Sequence, residues 1–135
     1  MQPLDVLKTY FGYSTFRAQQ DAVIQRVLAD GHSLVIMPTG MGKSLCFQIP
    51  ALVHEQEAGQ PAPLTLVISP LIALMKDQVD ALQAKGIDAA FINSSLSRRE
   101  REGRYRAVGR GEFRLLYVTP ERFRKPDFVE VLSKR

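Results

Sequence analysis

The sequence is poor in several residue types that mark particular classes of protein. It contains one cysteine, Cys46, which excludes an internal disulfide, and it contains no tryptophan. Its longest apolar runs, such as residues 64–68, are far too short to cross a bilayer. The first eight residues lack a basic segment followed by an apolar core, so we expect no secretory signal. These absences favour a globular protein of a reducing compartment that has no membrane partner.

Charge is distributed unevenly along the 135 residues. Residues 1–96 carry 6 Lys and Arg against 8 Asp and Glu, whereas residues 97–135 carry 12 against 6. Six arginines fall within one short stretch: Arg98, Arg99, Arg101, Arg104, Arg106 and Arg110. A basic stretch can attract phosphate backbones, and it is also typical of a solvated helix face on which Glu100 and Glu102 are partial partners. On charge alone, the solvated face is the stronger interpretation.

The hydrophobic pattern predicts an α/β fold class. Four short runs rich in branched and aromatic residues predict strands buried on both faces of a parallel sheet, over residues 34–37, 65–69, 89–92 and 113–118. Apolar residues at helical spacing predict helices over residues 16–29, 71–85, 97–108 and 121–132. A further helix is predicted after Lys43, and Pro50 inside it predicts a kink or a restart. Strands alternating with helices predict a parallel sheet flanked by helices.

The strongest functional signal is residues 37–44, which read Met-Pro-Thr-Gly-Met-Gly-Lys-Ser between a predicted strand and a predicted helix. Glycine allows the backbone N–H groups of such a loop to turn inward around phosphate oxygens. Lys43 would reach the β- and γ-phosphates of a nucleotide, and the Ser44 hydroxyl would bind Mg²⁺. Position 37 is Met where the general pattern has Gly. The predicted nucleotide-binding residues of this loop are Thr39, Gly40, Met41, Gly42, Lys43 and Ser44.

An aromatic segment that also carries amide side chains, residues 10–20, lies upstream of this loop. Tyr13 offers a flat ring, and Gln20 offers a paired donor and acceptor of the kind that binds adenine at N6 and N7. Without the phosphate loop, the stronger interpretation is structural. In that interpretation Tyr13 and Phe16 pack in the core, and Gln20 lies in solvent.

Taken together, these motifs resemble the opening of a RecQ-like helicase of superfamily 2. The similarity begins with Phe11-Gly12-Tyr13, Phe16-Arg17 and Gln20, and it continues through residues 37–51. Residues 67–79, 93–95 and 117–123 resemble later motifs in the order of the family, so the resemblance covers nearly the whole chain. It implies the N-terminal part of a RecA-like motor domain. Residues 1–30 would form adenine-recognition helices, and residues 31–135 would form the P-loop α/β core.

The resemblance also implies roles for particular residues. Tyr13 would stack on adenine while Arg17 and Gln20 bond its edge, Lys43 would act in catalysis, and the cofactors would be ATP and Mg²⁺. The partner would be DNA, single-stranded or at duplex junctions, in a cytoplasmic, nucleoid-associated or nuclear protein of repair or recombination. The implied DNA-contacting residues are Ser69, Pro70, Thr119, Pro120, Glu121 and Arg122. A plain helix cap is an alternative role for residues 119–121.

Helicases of this kind use an Asp-Glu-x-His motif to hydrolyse ATP, and this sequence has no such motif. No Asp is followed by Glu, and the only histidines are His32 and His54. We therefore expect a fragment of a longer protein, truncated before the acidic motif, that binds nucleotide without hydrolysing it. Two other interpretations stay open: a P-loop small-molecule kinase, and a nucleic-acid-binding module with a vestigial nucleotide site.

Overall fold

The computed structural model describes residues 1–38, 42–54, 59–60 and 63–134. The chain divides into two compact units, residues 1–55 and residues 56–135. Within the described ranges, no helix combines the length and the apolar character needed to cross a membrane.

The first unit is helical. Helix α1 spans Pro3–Val6 and is followed by a π-helical turn, Leu7–Phe11; helix α2 spans Gln20–Leu28 and helix α3 spans Leu45–Val53. Their shared core consists of fully buried side chains from all three helices and the turn: Val6, Leu7, Ile24 and Ile49. Helix α3 continues through Pro50, so the expected restart does not occur, and the helix ends three residues later.

The strand predicted over residues 34–37 is not formed. Residues 31–38 adopt neither helix nor strand, and none of the described strands pairs with them. Leu34 and Ile36 are 91% and 89% exposed, whereas Met37 is buried. A strand needs a neighbour to satisfy its backbone N–H and C=O groups, and an apolar run predicts burial without identifying that neighbour.

The second unit is a three-stranded parallel sheet flanked by helices, which confirms the predicted α/β class. Strands β1 (Thr65–Ile68), β2 (Ala89–Ile92) and β3 (Leu115–Val118) are arranged in the order β1-β3-β2. Helices α4 (Ile72–Ala84) and α5 (Arg98–Gly109) connect the strands. A 3₁₀ helix (Pro120–Arg124) and helix α6 (Pro126–Ser133) follow β3.

The central strand explains how the layers hold together. All four residues of β3 are buried, and Val118 packs with Val108 of α5 and Phe128 of α6. The Tyr117 hydroxyl hydrogen-bonds the Gln78 amide oxygen of α4 at 2.8 Å. Because Tyr117 and Val118 point to opposite faces of the strand, α4 covers one face and α5 and α6 cover the other.

The helix predicted over residues 121–132 is divided into two pieces. Lys125 has an extended backbone (φ −89°, ψ 115°) between the 3₁₀ helix and α6. Proline at position 126 explains the break, because its ring disfavours helical backbone in the residue that precedes it.

The three strands end in register, which aligns the residues that follow them. Ile68 and Ile92 both pair with Val118, the last residue of β3. The Ser69 N–H donates to the Val118 carbonyl at 3.0 Å and extends this alignment by one residue. Ser69, Thr119 and Asn93 therefore lie in a row along the carboxyl edge of the sheet.

Helix α5 begins with a reciprocal cap. The Ser97 hydroxyl accepts the Glu100 N–H at 3.2 Å, and the Glu100 carboxylate accepts the Ser97 N–H at 3.1 Å. The bond from the Ser97 backbone N–H, with a smaller contribution from the Ser97 side chain, holds the pKa of the Glu100 carboxyl below its ordinary value. A lowered pKa stabilises the fold above the ordinary pKa of about 4.3, and this contribution is lost as the pH falls through the lowered value.

Replacing Ser97 with alanine is expected to lower the free energy of unfolding by about 1 kcal/mol at neutral pH, because it removes the helix cap. The variant keeps the backbone N–H at position 97 that donates to the Glu100 carboxylate, so most of the difference in unfolding free energy should persist in acid. Urea unfolding at neutral and acidic pH measures both effects, with the exposed neighbour Ser94→Ala as control. Equal stability of the Ser97 and Ser94 variants would show that the cap contributes nothing.

Candidate nucleotide-binding site and nucleic-acid loops

The described part of the phosphate loop has the backbone that its sequence predicts. Gly42 has φ +73°, in the left-handed region that favours glycine. Helix α3 starts immediately afterwards, with the Leu45 N–H donating to the Gly42 carbonyl and the Gln48 N–H to the Ser44 carbonyl. Lys43 is exposed at this helix start. The predicted residues Thr39, Gly40 and Met41 lie outside the described residues.

Gln20 joins the aromatic segment to the phosphate loop. Its side chain is only 2% exposed, its amide nitrogen donates to the Gly42 carbonyl at 3.1 Å, and its amide oxygen accepts the Arg17 N–H at 2.8 Å. A Cβ atom at Gly42 would lie 2.3 Å from that amide nitrogen, so any other residue would displace the end of the Gln20 side chain. Two segments that the sequence assigned separately to adenine and to phosphate are thus in direct contact.

The packing interpretation assigned an environment to three residues of the aromatic segment, and the structure differs from it at two of them. Phe16 does pack at the margin of the first unit's core. However, Tyr13 is 54% exposed and Gln20 is buried, whereas packing alone predicted the reverse for both. Arg17 is exposed next to them. An exposed ring, an exposed guanidinium and the phosphate loop therefore belong to one unit, although base contact by Tyr13, Arg17 and Gln20 stays a prediction.

Ser44 is the one predicted metal ligand. It is the N-cap residue of α3 and is half-buried beside Lys43. A hydroxyl is a hard oxygen ligand of the type that Mg²⁺ accepts. Across the described residues there is no cluster of three His, Cys, Asp or Glu side chains that would hold a metal by itself. Such a site fits a Mg²⁺ ion bound mainly by nucleotide phosphates and water, with Ser44 as a protein ligand.

The loop after β1 presents its backbone and Pro70 at the carboxyl edge. The Ser69 hydroxyl accepts the Leu71 N–H at 3.2 Å, and Pro70 is exposed. Ser69 itself is half-buried. The predicted DNA contact at this loop is compatible with its exposure and remains a prediction.

The loop after β3 has mixed accessibility. Pro120 and Glu121 are exposed, while Thr119 and Arg122 are 1% and 6% exposed. The Glu121 pKa is lowered, chiefly by a hydrogen bond from its own backbone N–H, so its carboxylate is charged at neutral pH and disfavours a nearby phosphate. The Arg122 N–H donates to the Thr119 carbonyl, which is the turn expected of a helix start. DNA contact by Thr119, Pro120, Glu121 and Arg122 stays a prediction.

Asn93 completes the carboxyl edge, and the sequence did not single it out as a site residue. It is fully buried, and its amide oxygen accepts the N–H and the hydroxyl of Ser95 at 2.9 and 2.5 Å. Its amide nitrogen contacts the Met75 sulfur of α4 at 3.5 Å. The signal in the sequence was Asn-Ser-Ser directly after a strand, which is typical of a turn closed by a side chain.

A Gly-Lys-Ser turn that opens a helix, in a chain whose other unit is a helix-flanked parallel sheet, defines the class of P-loop nucleotide-binding proteins. The chain belongs to the DEAD/DEAH box helicase family, which matches residues 17–134.

Curated relatives define the similarity more closely. The chain is 48% identical over 130 residues to "ATP-dependent DNA helicase RecQ" of Haemophilus influenzae, covering 96% of this chain and 20% of the relative. It is 48% identical over 129 residues to the RecQ of Bacillus subtilis, covering 95% and 21%. It is 42% identical over 110 residues to "ATP-dependent DNA helicase Q4" of Mus musculus, covering 82% and 9%. The chain thus spans about a fifth of the length of its bacterial relatives.

Proposed function

We propose that this chain is the ATP-binding part of an ATP-dependent DNA helicase of the RecQ type, which unwinds duplex DNA in repair or recombination. The observation that carries the proposal is the bond between the buried Gln20 amide and the Gly42 carbonyl, which connects the aromatic segment to the phosphate loop. A P-loop small-molecule kinase does not require this connection. The names of the relatives supply the DNA-unwinding part of the proposal.

Each residue of the site has a role that follows from its position. Backbone N–H groups at the start of α3 donate to phosphate oxygens, where the positive end of the helix dipole also favours negative charge. Lys43 is exposed beside them and neutralises the terminal phosphates. The Ser44 hydroxyl would hold a Mg²⁺ ion, which would supply positive charge against the nucleotide phosphates.

The aromatic segment supplies the base-binding part of the site. The exposed Tyr13 ring stacks on adenine, and the Arg17 side chain bonds its edge. Gln20 has a second role in addition to reading the base. Because its amide bonds both the Arg17 backbone and the Gly42 carbonyl, it positions the base-binding segment relative to the phosphate loop.

Hydrolysis requires an acid to hold Mg²⁺ through water and a group to orient the attacking water. The 135 residues contain no Asp-Glu pair, and neither His32 nor His54 follows one. We therefore propose that this chain binds ATP and does not turn it over by itself. Steady phosphate release by the chain, lost on Lys43→Ala, would contradict this.

The proposal is tested by titrating the chain with Mg-ATP and Mg-GTP, and by repeating both titrations with Gln20→Ala. Wild type should bind ATP more tightly. A side-chain amide has two N–H groups and two oxygen lone pairs, so the Gln20 amide can bond the adenine edge in addition to its two bonds within the chain, and such a contact discriminates bases by roughly 1–3 kcal/mol. Gln20→Ala should reduce the ratio of the GTP and ATP dissociation constants towards one. An equal loss of affinity for both nucleotides would instead assign Gln20 a purely positioning role.

Gln19→Ala is the matched control, since Gln19 is the exposed neighbour of Gln20 in sequence. It should leave both dissociation constants unchanged. Equal binding of ATP and GTP by wild type, unaffected by Gln20→Ala, would contradict the adenine site and favour the kinase alternative.

A further inference from the structure

A polar cleft lies in the second unit, between α5, the 3₁₀ helix and the start of α6. Its volume is about 190 Å³, and four cationic side chains line it: Arg98, Arg101, Arg122 and Lys125. Two carboxylates, Glu102 and Asp127, also line it, so positive charge is in excess. None of Arg98, Arg101 and Lys125 belongs to the residues that the resemblance implicated in DNA contact.

The elements that line the cleft begin at the carboxyl edge of the sheet. Helix α5 starts six residues after β2 ends, and the 3₁₀ helix starts two residues after β3 ends. The lining residues of α5 therefore come from its first two turns, next to the loop that contains Thr119. The predicted nucleic-acid loops and the cleft thus belong to the same edge of the same unit.

Arg122 is the buried cation of the cleft, and its hydrogen bonding within the chain is incomplete. The side chain is 6% exposed, and among the described residues its hydrogen bond is a long one, from Nη1 to the Tyr105 hydroxyl at 3.4 Å. Its buried Nε has no hydrogen-bond partner among the residues that the structure describes. No carboxylate in the described residues forms a salt bridge with it. A buried guanidinium is costly unless it is paired, so this position favours an anion.

The other cations are held in place without being neutralised. Arg101 donates from Nη1 to the Leu96 carbonyl at 2.6 Å, which uses one of its five N–H donors. Arg98 pairs with Glu102 at 3.1 Å, but both side chains are more than half exposed, and such pairs are weak. Lys125 is exposed at the start of α6.

Packed aromatic rings support the wall of the cleft. The Tyr105 ring packs on Phe128 with a centroid separation of 5.8 Å, and Phe123 packs edge-on against the same ring at 5.5 Å. Phe128 is fully buried. A binding site whose walls are fixed before the ligand arrives loses less conformational entropy on binding.

We propose that this cleft binds a backbone phosphate of single-stranded nucleic acid. The inference rests on the proposed helicase function and extends its nucleic-acid interface to Arg98, Arg101 and Lys125. Forked guanidinium groups match phosphate oxygens in pairs. Three guanidinium groups line the cleft, those of Arg98, Arg101 and Arg122, which favours a phosphodiester.

Helix α5 provides its own control for the test. Arg98 and Arg101 line the cleft, whereas Arg99 and Arg106 are exposed on the same helix and do not. Replacing Arg98 and Lys125 together with glutamine removes two positive charges from the cleft. Replacing Arg99 and Arg106 together with glutamine removes two positive charges from elsewhere on the same helix.

Fluorescence anisotropy with a short labelled oligothymidylate, over a range of salt concentrations, measures the effect in the full chain. The Arg98/Lys125 variant should bind about tenfold more weakly and reduce the slope of log affinity against log salt by about 1. The Arg99/Arg106 variant should change affinity less than threefold. The single variant Arg98→Lys keeps a positive charge at both positions, 98 and 125, and should retain most of the DNA binding.

Three outcomes would overturn the proposal. Equal losses of DNA affinity in the two double variants would mean that α5 attracts DNA only through its overall positive charge. Loss of poly-glutamate binding in the Arg98/Lys125 variant, with DNA binding intact, would assign the cleft to an acidic peptide. DNA binding equal to wild type in that variant would exclude the cleft from the interface. The affinity of the same variants for Mg-ATP is expected to equal that of wild type. Failure of the wild-type chain itself to bind Mg-ATP would count against the proposed function and not against the cleft.

Discussion

Replacing Lys43 with alanine is expected to weaken Mg-ATP binding about 100-fold while leaving the chain folded. Lys43 is exposed at the start of α3, directly after Gly42, and its ammonium group is the cation of the described loop that can reach the terminal phosphates. Hydrogen bonds to charged groups contribute roughly 1.5–3 kcal/mol each, and about 1.4 kcal/mol corresponds to a tenfold change in affinity. Isothermal titration measures the change directly.

Lys8→Ala is the matched control for this variant. Lys8 is also exposed and lies in the same unit, so its replacement removes the same charge without touching the loop. It should alter the ATP dissociation constant less than twofold. Wild-type affinity in Lys43→Ala would mean that the loop does not bind phosphate through this residue.

Replacing Gly42 with alanine is expected to destabilise the chain by about 2–4 kcal/mol, and also to weaken nucleotide binding. Two effects combine at this position. A left-handed backbone disfavours alanine by roughly 1–2 kcal/mol, and the new Cβ would lie 2.3 Å from the Gln20 amide nitrogen. Gln20 is 98% buried, so relieving the clash breaks its bond to the Gly42 carbonyl, at about 1 kcal/mol or more.

Gly12→Ala separates these two effects. Gly12 has φ +74°, and a Cβ there would meet nothing within 4 Å. Its replacement by alanine therefore costs only the energy of the left-handed backbone conformation. Urea unfolding should show Gly42→Ala to be the less stable variant by at least about 1 kcal/mol. Equal stability of the two variants would show that the contact between Gln20 and Gly42 contributes little.

The sequence predicted local structure well where local rules decide it. The strand over residues 89–92 and the helix over residues 71–85 were placed to within one residue at each end, because their patterns are regular and their boundaries carry turn residues. Pro126 also predicts, in principle, that the helix after residue 120 is divided. Proline disfavours helical backbone in the residue that precedes it.

Features that depend on contacts distant in sequence were not predictable. Residues 34–37 have the composition of a buried strand, but the location of a pairing strand is not encoded in that run. Gln20 was predicted from its amide chemistry, whereas its bond to Gly42 joins residues 22 positions apart. The basic stretch after residue 97 was recognised as a charge run. The packing of α5 beside β3 determines that Arg98 and Arg101 line a cleft with Arg122.

The central claim is that this chain has a functional nucleotide site formed by the aromatic segment and the phosphate loop. Isothermal titration of the wild-type chain with Mg-ATP tests it most directly. We predict saturable binding at one site per chain, with an affinity that falls about 100-fold in Lys43→Ala. A folded chain that binds neither Mg-ATP nor any other nucleotide would contradict the account.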